Sequence, residues 1–387
     1  MKGKVLILGG DGYLGWPTAM NLSNLGYSVA VLDNYLKRWI FNKLGITPLI
    51  DCPNLEERAN IWKGLTGHDI KVYVGDIGEQ DFLFKVVKEF GPDTIIHYGE
   101  IPSAPYSMLN HNTSWETIQN NLRATLAVMW AIKTINPDIH LIKLGTMGEY
   151  GTPNIDIEEG FMEIEKGGRK DRLPFPKLPG SFYHLSKVQD SDMLYLGVRM
   201  WGLRVTDLNQ GPVYGIETDE SRMDKKNRLM PHFHYDEFWG TVLNRFITQA
   251  VVEIPLTVYG KGGQKRGFLD IVDTLQCVRL AVQNPANKGE FRVMNQFTEI
   301  FSVNELAEKV KAAAKNLGID VTIKNYPNPR KEAEEHYYNA KNTNLLSLGL
   351  QPNYLTEKVL TEMMEIVMEN KKNIRQDIIL PGRAKWQ

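Results

Sequence analysis

The 387-residue chain holds only two cysteines, Cys52 and Cys277, too few for a disulfide framework and in keeping with a reducing compartment. It has no apolar run near the ~18 to 20 residues that a bilayer span requires, so no membrane partner is expected. Its charges nearly cancel, at −1 overall, which offers neither nucleic acid nor an anionic surface much to hold. Internal repeats and low-complexity tracts are missing as well. His232 and His234 lack a third ligand at credible spacing, so no metal site is expected. The opening Met-Lys-Gly-Lys passes straight into a strand pattern and does not read as a signal peptide. A soluble, cytoplasmic protein is the expectation.

What is present is an alternation of strand and helix. Residues 5–8 are continuously apolar, as in a central parallel strand covered on both faces. Gly9-Gly10-Asp11-Gly12-Tyr13-Leu14-Gly15 follows, which contains both G-x-G-x-x-G and G-x-x-G-x-x-G. Such glycines permit a tight turn and a close approach of backbone N–H groups to a pyrophosphate at a helix N-terminus. A second strand, 29–32, ends in Asp33, 18 residues past Gly15, where a dinucleotide fold places the carboxylate that bonds the adenosine ribose. That charge repels a 2′-phosphate and favours NAD, with Lys37 and Arg38 near enough to keep NADP as the lesser option. Strands at 72–74, 94–97, 139–144 and 203–208 continue the pattern, with helices at 81–90 and 114–132. Asp76-Ile77 and Tyr98-Gly99-Glu100 fall at strand ends, where a cofactor lies. Asn120 and Asn121 are poor helix formers inside the second helix, which suggests a hydrogen-bonding task. Two excursions interrupt the alternation, at 35–70 and 151–180, the second a hairpin about Lys166-Gly167-Gly168-Arg169 that would either cover the site or serve as a structural arm.

Two strand-end clusters carry chemistry. Thr146, at a parallel strand's C-terminal end, points to the crevice where open α/β sheets bind ligands, and Glu149 behind it is an acid/base candidate. Ser181-Phe182-Tyr183-His184-Leu185-Ser186-Lys187 opens a helix, so Tyr183 and Lys187 share one face. A phenol that ionises near pH ~10 is drawn toward neutrality by an adjacent ammonium and then serves as a base toward a hydroxyl. Past Asn209-Gln210-Gly211-Pro212 the character changes. Strands at 256–259 and 291–295, helices at 271–283 and from Ser302 (with Glu305 as a capping box), Arg266 in a glycine-rich turn and Arg330 after Pro327-Asn328-Pro329 suggest a lobe that grips a diphosphate. The expected architecture is α/β: a Rossmann-type doubly wound parallel sheet with a smaller C-terminal α/β substrate lobe. The first domain spans 1–208 with the two excursions as insertions. The second spans 209–387, with 241–252 and 268–295 returning to the first, and a polar tail from 370 expected to be loosely ordered.

Residues 9–15, Asp33, Thr146, Tyr183, Lys187, Asn209 and Arg266 together resemble the extended short-chain dehydrogenase/reductase family of nucleotide-sugar enzymes, over nearly the whole chain. Ala104-Pro105-Tyr106-Ser107-Met108, the run 144–160 (LGTMGEYGTPNIDIEEG) and 333–339 (AEEHYYN) resemble its sulfosugar-forming branch. The resemblance implies a tightly held NAD, UDP-glucose and sulfite as substrates, oxidation at C4, dehydration across C5 and C6, sulfite addition at C6 and re-reduction. It assigns catalysis to Thr146, Tyr183, Lys187, His184 and Glu149. Cofactor contacts are implied at Gly9, Gly12, Tyr13, Leu14, Gly15, Asp33, Asn34, Arg38, Asp76, Ile77, Tyr98, Gly99, Glu100, Ser103, Asn120, Tyr183, Lys187 and Val213. Substrate contacts are implied at Thr146, Tyr106, Asn209, Gln210, Arg245, Tyr259, Gln264, Arg266, Arg330 and His336. A homodimer through the helices of Asn120 and Tyr183 and a sulfite-donating partner protein are further implications. Where plant-type members carry Gln-Arg after the Gly-Glu pair, this chain has Ile101-Pro102. A UDP-glucose 4-epimerase, a 4,6-dehydratase and a nucleotide-sugar sensing module without chemistry are the alternatives.

Overall fold

The apolar runs of the first 300 residues assemble side by side into one sheet. In the computed structural model, which describes residues 2–330 and 336–383, β1 (Lys4–Leu8), β2 (Ser28–Asp33), β3 (Ile70–Val74), β4 (Thr94–His97) and β5 (His140–Thr146) are joined by β8 (Arg204–Gln210) and β12 (Phe291–Gln296). Their order is β12-β8-β5-β4-β1-β2-β3, parallel throughout. Val5 to Leu8 are each at most 1% exposed, as a strand covered on both faces must be. The order reverses between β1 and β4, and a ligand crevice opens at such a switch point. Register brings the strand ends level: Leu8 faces both Leu32 and His97, and Thr146 faces Gln210.

Helices cover both faces. His111–Ile135 starts on an Asn110 capping box, and Phe182–Trp201 starts where Ser181 Oγ accepts the His184 amide and stops at Gly202, whose φ of +68° suits only glycine well. Gly15–Asn24 and Ile271–Gln283 pack on the opposite face with Leu55–Thr66, around Trp16, Trp62 and Cys277.

A second core lies beyond the crevice. It joins Phe41 and Leu49 of the first insertion to Phe246, Leu306 and Met364. Around it run the short strands β9 (Val213–Tyr214), β10 (Leu256–Tyr259), β11 (Lys265–Asp270), β13 (Glu299–Ser302) and β14 (Ile323–Tyr326). Ser302 and Glu305 do form the reciprocal box that opens Val303–Asn316.

Three expectations are corrected here. Helix Val242–Val251, expected to return to the first domain, buries Leu243, Phe246 and Ile247 in the second core. The tail is not loose up to residue 383: Ile378 and Ile379 are buried in that core, and Glu237 accepts the amides of Gly382 and Arg383 at 3.0 and 2.9 Å. The hairpin of β6 (Phe161–Lys166) and β7 (Arg169–Pro174) turns at Gly167-Gly168 as read, but packs Phe161 on Tyr195 and Phe291, and its strands leave the crevice uncovered. Residues 333–335 of the motif at 333–339 lie outside the described residues.

Candidate active site

A cavity of about 810 Å³ runs between the two cores along the sheet's C-terminal edge, within the range of small-molecule and cofactor sites. One end is the glycine loop after β1, where Gly9, Gly12, Tyr13, Leu14 and Gly15 line the wall. Gly9 has φ +87°, and a Cβ on it would meet the Gly99 amide at 2.7 Å; a Cβ on Gly15 would meet the Gly9 carbonyl at 2.0 Å. No side chain fits either place, and the backbone is left open as a cradle ahead of a helix N-terminus. Asp33 and Asn34 flank it, the Asp33 carboxylate accepting the amides of Asp11 and Tyr35 at 2.9 and 2.7 Å. Burial, then the Asp11 charge, pushes Asp33 up to about 6, so it remains ionised at neutral pH. Asp76, Ile77, Tyr98, Gly99, Glu100, Ser103, Asn120 and Val213 line the same space. The cradle and the ionised Asp33 fit a dinucleotide with a free ribose 2′-hydroxyl, that is, NAD.

Arg38 departs from its expected place. Its guanidinium turns inward, to Asp11 at 2.6 Å and to the carbonyls of Cys52 and Pro53 at 2.9 and 2.8 Å, and does not line the cavity. Asp11 also takes the fully buried Arg58. Lys37 does line the cavity, its ammonium over the rings of Phe41 and Trp239, and burial lowers it to about 8.

The middle of the cavity holds Thr146, Tyr183, His184 and Lys187 together. Thr146 comes from the end of β5, the other three from the first turns of Phe182–Trp201. The Thr146 hydroxyl faces the Tyr183 phenol. Burial, then Glu100 and Glu149, pushes that phenol well above its usual range, against the opposite pull of Lys143. The Lys187 ammonium is engaged by the Glu100 carboxylate at 2.6 Å and the Leu144 carbonyl at 2.6 Å. His184 stands beside the phenol, ring centroids 5.1 Å apart, with Nδ1 on Ser181 Oγ at 3.0 Å. Burial, then Arg330 and Arg266, lowers it to about 3, so its imidazole is neutral at working pH. A Cβ on Gly148 would meet that ring at 2.4 Å, so the turn after β5 is moulded to it.

Glu149 is corrected from its expected role. It is fully buried behind the cavity wall, bonded by Lys143 (3.1 Å), Lys177 and Ser191 (3.1 Å). Although burial opposes it, those lysines hold its carboxyl down at about 2. It is a fixed anion that orders the Thr146 turn and has no proton to give.

At the far end Gln210, Arg245, Tyr259, Gln264, Arg266 and Arg330 line the wall. Three expected substrate contacts are elsewhere. Tyr106 is buried with its hydroxyl on Glu116 at 2.5 Å, and Asn209 is buried with its amide on Tyr150 at 2.8 Å. His336 stands outside the lining, 3.0 Å from Arg266. Ile101 and Pro102 do line the cavity, and Ile101 is fixed from behind by Asn121, which accepts its amide at 2.8 Å. Sequence reasoning missed Trp239, Glu237 and Phe238 in the lining and the lysine pair around Glu149. A lysine at 143 inside an apolar strand was the available signal, since a lysine is rarely fully buried unless paired. Among the described residues no group of three metal-ligating side chains occurs, and no helix is long and apolar enough to cross a membrane.

Residues 5–295 match the NAD dependent epimerase/dehydratase family. The chain is 51% identical to a chloroplastic UDP-sulfoquinovose synthase of Spinacia oleracea, over 99% of this chain and 79% of that one. It is 43% identical to a UDP-sulfoquinovose synthase of Sulfolobus acidocaldarius, over 99% and 98%. Among solved structures it resembles a UDP-glucose 4-epimerase of Bifidobacterium longum in complex with NAD⁺ and UDP, with a TM-score of 0.71 and 19% identity over 96% of this chain and 100% of that one. With the cradle, Asp33 and the Thr146–Tyr183 pair in place, the chain belongs to the NAD dependent epimerase/dehydratase family and, within it, to the group of the UDP-sulfoquinovose synthases.

Proposed function

We propose that the chain converts UDP-glucose and sulfite to UDP-sulfoquinovose. The observation that carries the reading is one cavity lined by two neighbouring hydroxyl groups, those of Thr146 and Tyr183, and by a neutral imidazole, His184, between a dinucleotide cradle and the arginines Arg266 and Arg330. NAD⁺, when bound by the glycine cradle and Asp33, supplies the hydride acceptor for C4 and the donor at the end. The Tyr183 Oη takes the C4 hydroxyl proton while the Thr146 Oγ1 holds that hydroxyl in line. A ketone at C4 acidifies C5, and the His184 Nε2, neutral at working pH, takes the C5 proton. The C6 hydroxyl takes that proton from the imidazolium and leaves as water; hydrogen sulfite then adds at C6, its proton going to C5, and Tyr183 returns its proton to the C4 oxygen as the ketone is reduced. Arg266 and Arg330 grip the diphosphate.

Weighing the product of incubations with UDP-glucose, with and without free sulfite, tests this. A sulfonated sugar nucleotide formed from free sulfite alone supports the reading and makes a donor protein dispensable. An epimer or a simple loss of water, the activities of the alternatives, would defeat it. The two free, buried cysteines suit a reducing compartment such as the cytoplasm.

The chain is also proposed to pair with a second copy. Trp115, Leu126 and Trp130 on His111–Ile135 and Leu196 and Met200 on Phe182–Trp201 are 40–66% exposed on two neighbouring helices. Apolar side chains grouped this way mark an interface. Sedimentation is expected to give a dimer that Leu196→Glu dissociates; a monomer at every concentration would sink the proposal.

A further inference from the structure

Behind the catalytic side chains lies a buried set of charges that the steps above leave unused. Four carboxyls, Glu100, Glu149, Asp190 and Asp207, share it with three ammoniums, Lys143, Lys177 and Lys187; apart from Lys177, 13% exposed, none of their side chains is more than 4% exposed. The pairs are explicit. Lys143 serves Glu149 and Asp207 at 3.1 and 3.4 Å, Lys177 serves Glu149, and Lys187 serves Glu100 at 2.6 Å. Asp190 has no ion pair, and neither of its oxygens makes a well-formed hydrogen bond, although the Thr125 hydroxyl faces it. An isolated buried carboxylate is costly, and such a group takes up a proton instead. Burial, and then Glu100, hold Asp190 well above the usual carboxylate range.

The consequence falls on Tyr183. Lys187 lies one helical turn beyond it, yet its charge is spent on Glu100, whose position at the end of β4 brings it to the cavity wall. We propose that Glu100 is a positioning residue for Tyr183: its carboxylate binds the Lys187 ammonium at 2.6 Å and so withholds from the phenol part of the charge that the helix spacing puts beside it. The charged and polar groups that act on the phenol are Glu100 from the loop after β4, Lys143, Thr146 and Glu149 from β5 and its turn, and His184 from its own helix, on which Lys187, paired with Glu100, lies four positions further. Those that face Asp190 are Glu100, Lys143, Lys187 and Thr125. How readily the phenol gives up its proton, and so how well it serves as the C4 base, is then set by the Lys187–Glu100 balance. This deepens the reading of Tyr183 as the C4 base and rests on it.

The test reads the phenol directly, without turnover. Tyrosinate absorbance is titrated in each background against the same background carrying Tyr183→Phe, so that the difference is the Tyr183 step. In Glu100→Gln that step is expected to move to lower pH by about one unit or more, roughly tenfold in ionisation constant, since the ammonium is then uncompensated. In Lys187→Met it is expected to move to higher pH, and in the double variant to return near its original place. Asp190→Asn is expected to leave it where it was. The acidic limb of the kcat/KM profile of Glu100→Gln moves down with the step, while KM for UDP-glucose changes little. An unmoved or raised step in Glu100→Gln, or a lowered step that persists in the double variant, overturns the proposal. A drop in Asp190→Asn as large as that in Glu100→Gln shows that the effect does not belong to the Glu100–Lys187 pair and overturns it equally. If the titrations behave as stated and no sulfosugar forms, the assigned reaction is wrong and the charge balance stands.

Discussion

Tyr183→Phe is expected to leave the fold and NAD binding in place and to remove the enzyme-bound NADH absorbance that UDP-glucose produces in the unaltered protein, at a cost of roughly 10²–10⁴-fold in turnover. The ring stays, and with it the packing beside His184 at 5.1 Å. The main-chain amide at 183 keeps its bond to Ser107 Oγ at 3.1 Å, so the helix start is undisturbed. What is lost is one oxygen, the proton acceptor aligned by Thr146. His184 is neutral and adjacent, but its Nδ1 is tied to Ser181 and its ring is seated against Gly148, so it cannot swing into the phenol's place without displacing the turn after β5. Stopped-flow absorbance on mixing with UDP-glucose is the measurement. An NADH signal at the original rate in the variant would remove Tyr183 from the mechanism.

The sheet was legible because breakers bound its strands. The strands 94–97 and 256–259 and the helix 271–283 were read with the bounds that the structure has, each set off by glycine, proline or a capping aspartate. The cavity's inventory was legible wherever a residue sits at the end of a parallel strand or on the first turn of a helix after one, as with Asp33, Thr146 and Tyr183. Legibility failed one residue further on. Glu149 follows Thr146 by three positions, but the tight turn between them folds its side chain under the sheet, onto lysines supplied by 143 and 177. Asn209 precedes Gln210, and alternation along β8 sends the first into the core and the second into the cavity. Arg38 resembled a phosphate ligand by position, and only the fold shows Asp11 drawing it in, together with Arg58 from 20 residues further along the chain. The tail's composition is polar, yet the two isoleucines at 378 and 379 suffice to seat it in a core that reaches back to Phe41 and Leu49. Long-range pairing of charges was the common missing element. It leaves no periodic trace in a sequence.

The largest stability effect is expected from Lys143→Met, a replacement of similar length without charge. Lys143 is fully buried in β5, and its ammonium reaches Glu149, Asp207, Ser191 and the Lys187 carbonyl within 3.4 Å. Removing one partner of a buried ion pair strands the other, at about 3–5 kcal/mol. Here the stranded group is chiefly Asp207, because Glu149 keeps Lys177. The sign of the pH dependence follows from the two carboxyls. Glu149 is depressed from 4.5 to about 2, so its contribution is present above the higher value and is lost only as pH falls through the lower. Asp207 is raised by burial even with Lys143 beside it. Without that cation it rises further, takes up a proton on mild acidification and ceases to be a buried anion. The deficit of the variant is therefore expected to be greatest at neutral pH and to shrink as pH falls toward about 5, read as urea unfolding midpoints across that range. A deficit under about 1 kcal/mol, or one of equal size at both ends of the range, would show that Lys143 is not what holds the charges behind the Thr146 turn.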